Sequence, residues 1–178
     1  MTTAISIIGK LDCNIQLLRE ATMTGTESAP KLDFIFSAQV TIDARLEFGD
    51  VGKGGRRIVP ITGGKFAGPQ MNGKVLPGGA DWQLLRHDGV AELEARYTLR
   101  TDDGALIYVR NHALRHGSAE AMAALDAGRP ADLANYYFRG ATFFETSAAR
   151  YAWLTKHIVV CTGEREAAMV KLKFYQLL

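Results

Sequence analysis

Proton-transfer chemistry needs a carboxylate held near fixed cations, and this chain carries several such residues inside β-like runs. Asp81 follows the tight Pro77-Gly78-Gly79 turn, and strand alternation sends Asp81 and Gln83 to one side, Trp82 and Leu84 to the other. At a pocket mouth, desolvation would tune the Asp81 carboxyl for acid/base work. The same residue beside glycines can instead cap its own turn. Glu94 and Arg96 share one face of the run 91–99 with Glu92 and Thr98, opposite Ala91, Leu93, Ala95, Tyr97 and Leu99. Facing a cavity they would form a charged wall, and facing water they would be an ordinary surface ion pair. The candidate catalytic residues are therefore Asp81, with Glu94 assisting. Arg96 and Arg139 are candidates to bind a carboxylate or enolate oxygen, since developing negative charge is best met by preplaced donors, and Arg57 is a further substrate-binding candidate. Trp82 and Trp153 are candidates to stack on a substrate, although aromatic strand residues more often fill a core.

Other chemistries find no support in the spacing. The chain has no GxSxG, no phosphate-binding GxxxxGK[ST] and no GxGxxG, and its many glycines punctuate strands without opening a helix. His112 and His116 are four apart but read as flanking a loop, with no carboxylate placed to complete a metal site. The expectation is no metal and no cofactor. Cys13 and Cys161 lie far apart without a secretory signal, which favours two reduced thiols.

The elements that must position these residues are mostly strands. In the run from Lys31, Phe34, Phe36, Ala38, Val40 and Ile42 alternate with Ile35, Ser37, Gln39 and Thr41. Runs follow at 57–62, 65–68, 71–76 and 80–86, each closed by Gly or Pro breaks. Asp88-Gly89 and Asp103-Gly104 sit between alternating segments, the mark of hairpins in an antiparallel meander. One helix interrupts them, with Ser118 as N-cap, Glu120 in the first turn and Gly128 as the stop. Strands resume at 136–139, 143–146, 151–161 and 168–177, which places Tyr151, Trp153, Thr155 and His157 on one strand face. About nine or ten strands with one short helix predict a single closed antiparallel β-barrel, because closure removes exposed edges. A two-sheet sandwich is the alternative, and the lack of alternating helices excludes a parallel α/β sheet.

At 178 residues, 47% hydrophobic and 22% charged, the chain suits one globular domain. A net charge of +2, from 21 basic and 19 acidic side chains, argues against nucleic acid as a partner. Nothing approaches a membrane-spanning apolar run or a secretory leader, so the expected location is the cytoplasm. Residues 1–30 read as an N-terminal extension to a barrel domain at 31–178, and Met23 is a candidate alternative start.

The phrases RRIVPITGGKFAGPQMNGKVLPGGADWQ, LEARYTLRTDDGALIYVRN, YYFRG, FFET and RYAWL occur in that order. Together they resemble the bacterial and fungal family called domain of unknown function 3237, over residues 31–178. The chain departs from that pattern at Gly140-Ala141-Thr142, at the SAAR after FFET and at Ala113, all in segments read as loops. The resemblance implies a single β-barrel and favours closure over the sandwich; it implies no particular activity. The expected function is to bind a small organic molecule inside the barrel, as a cofactor-free lyase, isomerase or cyclase. A non-catalytic carrier and a structural barrel stay open beside it, as does homo-oligomerisation.

Overall fold

The computed structural model describes residues 29–178. The expectations that fall on residues 1–28, including Cys13 and the alternative start at Met23, lie outside the described residues. Ten strands run through the described chain: β1 Leu32–Ile42, β2 Leu46–Asp50, β3 Gly55–Ala67, β4 Asn72–Val75, β5 Gly79–Leu85, β6 Ala91–Thr101, β7 Leu106–Gly117, β8 Tyr136–Glu145, β9 Val159–Arg165 and β10 Met169–Leu177. Every pairing is antiparallel, and the order β1-β10-β9-β8-β7-β6 returns through β4 and β5 to β3, which pairs with β1. The sheet closes into a barrel. Its ten strands occupy eight positions, because β1 and β2 follow one another along one side of β3, and β4 and β5 along the other.

Closure depends on local exceptions to regular pleating. A bulge between Phe34 and Phe36 places both Ile35 and Phe36 inside and leaves Phe34 outside, so the inward set of β1 begins one residue off simple alternation. The Gly63-Gly64 pair does not end a strand, as its composition suggests; β3 runs straight through it. Gly64 adopts a φ of +141°, and a Cβ there would lie 2.1 Å from the Gln39 carbonyl oxygen, so only glycine lets β3 approach β1 this closely. Both Asp-Gly turns form as expected, with Gly89 and Gly104 in the left-handed region. The helix forms too. α1 spans Ala119–Asp126, and the Ser118 hydroxyl accepts from the Ala121 amide at 3.2 Å.

Three segments differ from the sequence reading. Residues 112–116 are no loop, because β7 continues to Gly117 with β6 and β8 paired on its two sides and Ala113 and Arg115 turned inward. Gly140-Ala141-Thr142 likewise lies within an unbroken β8. The stretch expected as a strand at 151–161 is instead a 3₁₀ helix, Ala149–Lys156, and β9 starts only at Val159. Its buried residues, Tyr151 and Leu154, are three apart, the period of a 3₁₀ helix and not of a strand.

The barrel has two unlike ends. At the end closed by the 3₁₀ helix, Phe36 stacks on Phe174 at 4.4 Å between centroids and meets Phe66 at 5.3 Å and Phe144 at 6.3 Å. Leu99, Ile107 and Val159 complete this fully buried apolar plug. Tyr151 ties the helix to the β6–β7 turn by donating its hydroxyl to Asp103 at 3.1 Å. At the other end, β7 runs through Ser118 into α1, and the inward positions turn polar.

Candidate functional site

Strand register gathers the polar residues. Gln83 on β5 lies opposite Arg57 on β3, and Asp81 shares the inward face of β5 with Gln83. Arg115 stands near the end of β7, Tyr97 on β6, and Arg165 at the end of β9. Arg57, Gln83 and Arg115 are each buried, and Asp81 is enclosed among them.

These side chains form a directed chain of hydrogen bonds. Asp126, in the last turn of α1, accepts from Arg57 at 3.1 Å, and Arg57 Nε donates to Gln83 Oε1 at 2.7 Å. Since a guanidinium can only donate, the Gln83 amide is oriented by that bond. Its nitrogen therefore faces Asp81 and donates to Oδ2 at 2.5 Å. Oδ2 is thus an acceptor, which leaves Oδ1 as the position for a proton when Asp81 is neutral. Burial pushes the Asp81 carboxyl up from its ordinary range, against the opposing pull of Gln83 and of the Arg115 and Arg57 charges.

Among the described residues, Asp81 Oδ1, the Tyr97 hydroxyl and Arg115 Nε are all buried without a hydrogen-bond partner. All three residues line one interior cavity of about 40 Å³, with Asn111 and Arg165 also in its wall. Leaving such a group unpaired costs about 1–3 kcal/mol, so three around one space call for a ligand or solvent to bind them. Burial raises the Tyr97 phenol, so it remains a donor at neutral pH. Burial and the like charge of Arg57 pull Arg115 down to about 10, which still leaves it protonated at neutral pH. Asn111 faces the cavity from β7, and its Oδ1 accepts from Thr142 at 2.8 Å and from the Cys161 thiol at 3.3 Å. Burial pushes that thiol up, away from the reactive thiolate.

The cavity opens toward α1. Ile42, Val59 and Arg165 line both the interior and a vestibule of about 570 Å³, which is walled further by Leu125–Gly128, Arg45 and Ala167–Ala168. Arg45 donates to the Asp126 carbonyl at 3.1 Å, which ties the segment after β1 to the last turn of α1.

Of the residues singled out by sequence, Asp81 and Arg57 meet in this interior. The others do not join them. Glu94 and Arg96 are bonded to each other on the outer face, both substantially exposed, and their pairing holds Glu94 below its usual range. Trp82 points outward from β5. Arg139 lies over the Tyr137 ring at 5.5 Å and donates to the Phe138 carbonyl at 2.8 Å. Trp82, Glu94 and Arg139 instead line an outer groove of about 930 Å³ across β5 to β10. Trp153 sits in the 3₁₀ helix at the far end, edge-on to His157 at 6.3 Å. The interior residues that sequence reasoning passed over are Gln83, Tyr97, Asn111, Arg115 and Arg165. For Asn111 and Arg115 a signal existed: alternation along β7 places them inward with Ile107, Val109 and Ala113.

Comparison with known proteins places the fold in context. The family model described as "protein of unknown function (DUF3237)" matches residues 30–177. The chain belongs to the DUF3237 family. A UPF0311 protein from Clostridium acetobutylicum is 44% identical over 144 residues, which is 80% of this chain and 91% of that one. The crystal structure of a conserved protein of unknown function from Rhodopseudomonas palustris superposes with a TM-score of 0.82. It is 38% identical, over 85% of this chain and 99% of that one. A more distant relative is the hydroalkoxylation enzyme phnH of Penicillium herquei, 30% identical over 125 residues, 70% of this chain and 68% of that one. Within this DUF3237 barrel, three of the four buried side-chain polar atoms without a hydrogen-bond partner among the described residues belong to Asp81, Tyr97 and Arg115 around the one cavity, and the fourth is Arg110 Nε.

Proposed function

We propose that this barrel is an enzyme that moves protons on a small organic molecule held in its polar end, as a lyase, isomerase or cyclase. The observation that carries the reading is the convergence of Asp81 Oδ1, the Tyr97 hydroxyl and Arg115 Nε, unpartnered among the described residues, on one interior space. In the first step, neutral Asp81 gives its Oδ1 proton to the substrate. The Tyr97 O–H and Arg115 N–H hold the substrate oxygen on which negative charge resides or develops. Asp81 is then a carboxylate steadied by the Gln83 amide and by the Arg115 and Arg57 charges, and it recovers a proton from the substrate in the second step. Such a cycle is redox-neutral.

The name of the Penicillium relative adds support of the same kind. Hydroalkoxylation adds an O–H across a C=C bond, so one proton goes onto carbon and one leaves oxygen, and the electrons balance without an oxidant. A single acid/base beside oxygen-binding donors is suited to that exchange.

The test begins with a thermal-shift screen of a metabolite library against the full chain. Hits are then incubated with protein in D₂O and followed by NMR for deuterium entering C–H positions or for a new product. Wild type should label or convert a hit, and Asp81→Asn should bind it without doing either. Unchanged labelling by Asp81→Asn removes Asp81 from the chemistry. Binding with no labelling or conversion by wild type would make the barrel a carrier.

A further inference from the structure

We propose that the polar end takes its ligand head-first as a carboxylate, seated between Arg115 and Arg165, with the rest of the molecule lying in the vestibule beneath α1. The inference rests on the interior being the reaction site, and it names the class of molecule that site admits.

The charges set the head group. Arg57, Arg115 and Arg165 converge on the interior and its mouth, facing the carboxyl groups of Asp81 and Asp126. Asp126 is taken by Arg57 at 3.1 Å, and Arg57 is further bonded to Gln83. Burial favours the neutral form of Asp81. Among the described residues, neither Arg115 nor Arg165 has a carboxylate within ion-pair distance. Arg165 donates to the backbone carbonyls of Glu166 at 2.6 Å and Met169 at 3.4 Å, and Arg115 Nε has no partner. Two cations at one mouth with no carboxylate in ion-pair contact are a poor arrangement for stability alone, since a buried charge is expected to be paired. A planar carboxylate is the anion that a guanidinium fork matches best.

The space sets the orientation. The interior cavity of about 40 Å³ has room for a head group or a few waters and none for a ring. The adjoining vestibule of about 570 Å³ is more than tenfold larger, and its wall mixes apolar Val59, Leu125, Ala167 and Ala168 with the charged Asp43, Arg45, Glu47 and Asp126. Arg165 belongs to both spaces and stands where the head passes into the interior. A carboxylate seated there brings the neighbouring carbons toward Asp81 Oδ1 and the Tyr97 hydroxyl.

The test compares 4-phenylbutyrate with its uncharged amide by isothermal titration against the full chain at neutral pH. The acid should bind at least about tenfold more tightly, because a hydrogen bond to a charged group is stronger than one to a neutral group. Arg115→Gln should erase that preference. Arg165→Gln, a change nearer the surface, serves the same purpose should the Arg115 variant fail to fold. Equal affinity for acid and amide, no binding of either, or a preference that survives both substitutions overturns the subsite. Asp81→Asn separates this inference from the functional one, because it should keep the preference for the acid while losing proton exchange. A retained preference with unaltered exchange would end Asp81's role and leave the carboxylate subsite standing. Lost exchange with no preference would do the reverse.

Discussion

The outer groove and the interior of this barrel differ in the opposite sense from what their sizes suggest. The groove is large, about 930 Å³, and carries Trp82, Glu94, His112 and Arg139. Several of its charges are already answered: Glu94 by Arg96, Glu92 by Arg86 and Arg139 by the Phe138 carbonyl. The interior is about 40 Å³, yet three of its polar atoms have no partner and its carboxyl is shifted by burial. Chemistry follows desolvation more than volume, because a charge in water is screened and a buried one is not. Carboxylate and Arg side chains are solvated on one side of these strands and desolvated on the other.

That contrast can be broken most directly at Asp81. Asp81→Asn should lower deuterium exchange or turnover about 10²–10⁴-fold, equivalent to about 3–5 kcal/mol of barrier, with the circular-dichroism spectrum unchanged. Next in size is Arg57→Met, which leaves Gln83 Oε1 and Asp126 without their donor. Urea denaturation should show a loss of about 1–3 kcal/mol, and exchange should fall as Gln83 loses its fixed orientation. A smaller effect should appear in the pH dependence of stability. The folded-state pKa of Asp81 lies above its ordinary 3.8, so its favourable contribution is complete below that value and is lost as pH rises through the folded pKa. Asp81→Asn should therefore decline less in stability than wild type across that rise, in urea melts taken at successive pH values. Smallest of all should be Glu94→Gln on the outer face, with exchange at the wild-type rate and little change in the urea midpoint. A large fall in exchange with Glu94→Gln would move the chemistry to the groove and reverse the comparison.

Much of this was legible in the residues. The Asp-Gly turns, the Ser118 cap and the alternation of β6 are local features, and the structure has them where the sequence places them. The shared face of Asp81 and Gln83 was legible in the same way. Segments whose conformation depends on distant partners were not. Residues 112–117 contain histidines and a glycine and read as a loop, but β6 and β8 on either side supply backbone partners that hold them as strand. Residues 149–156 carry aromatic and apolar side chains that suit a strand, yet burial of Tyr151 and Leu154 at a spacing of three makes them a helix over the barrel end. Nor can alternation alone tell which face of a strand is inside once both carry polar groups. Arg96 and Arg115 differ in that respect only because the barrel closes around one of them.

Period-two patterning and turn chemistry by themselves determined an antiparallel meander with one capped helix, since both act over a few neighbouring residues. They also paired Asp81 with Gln83 on one face. Only the tertiary structure decided that this face looks inward, that Arg57, Arg115, Arg165 and Tyr97 meet it there, and that Glu94 and Arg96 stay in water. The reason is that closing a sheet brings together strands far apart in sequence and removes water from one face alone. Desolvation of a carboxyl by residues on other strands is a property of the closed barrel.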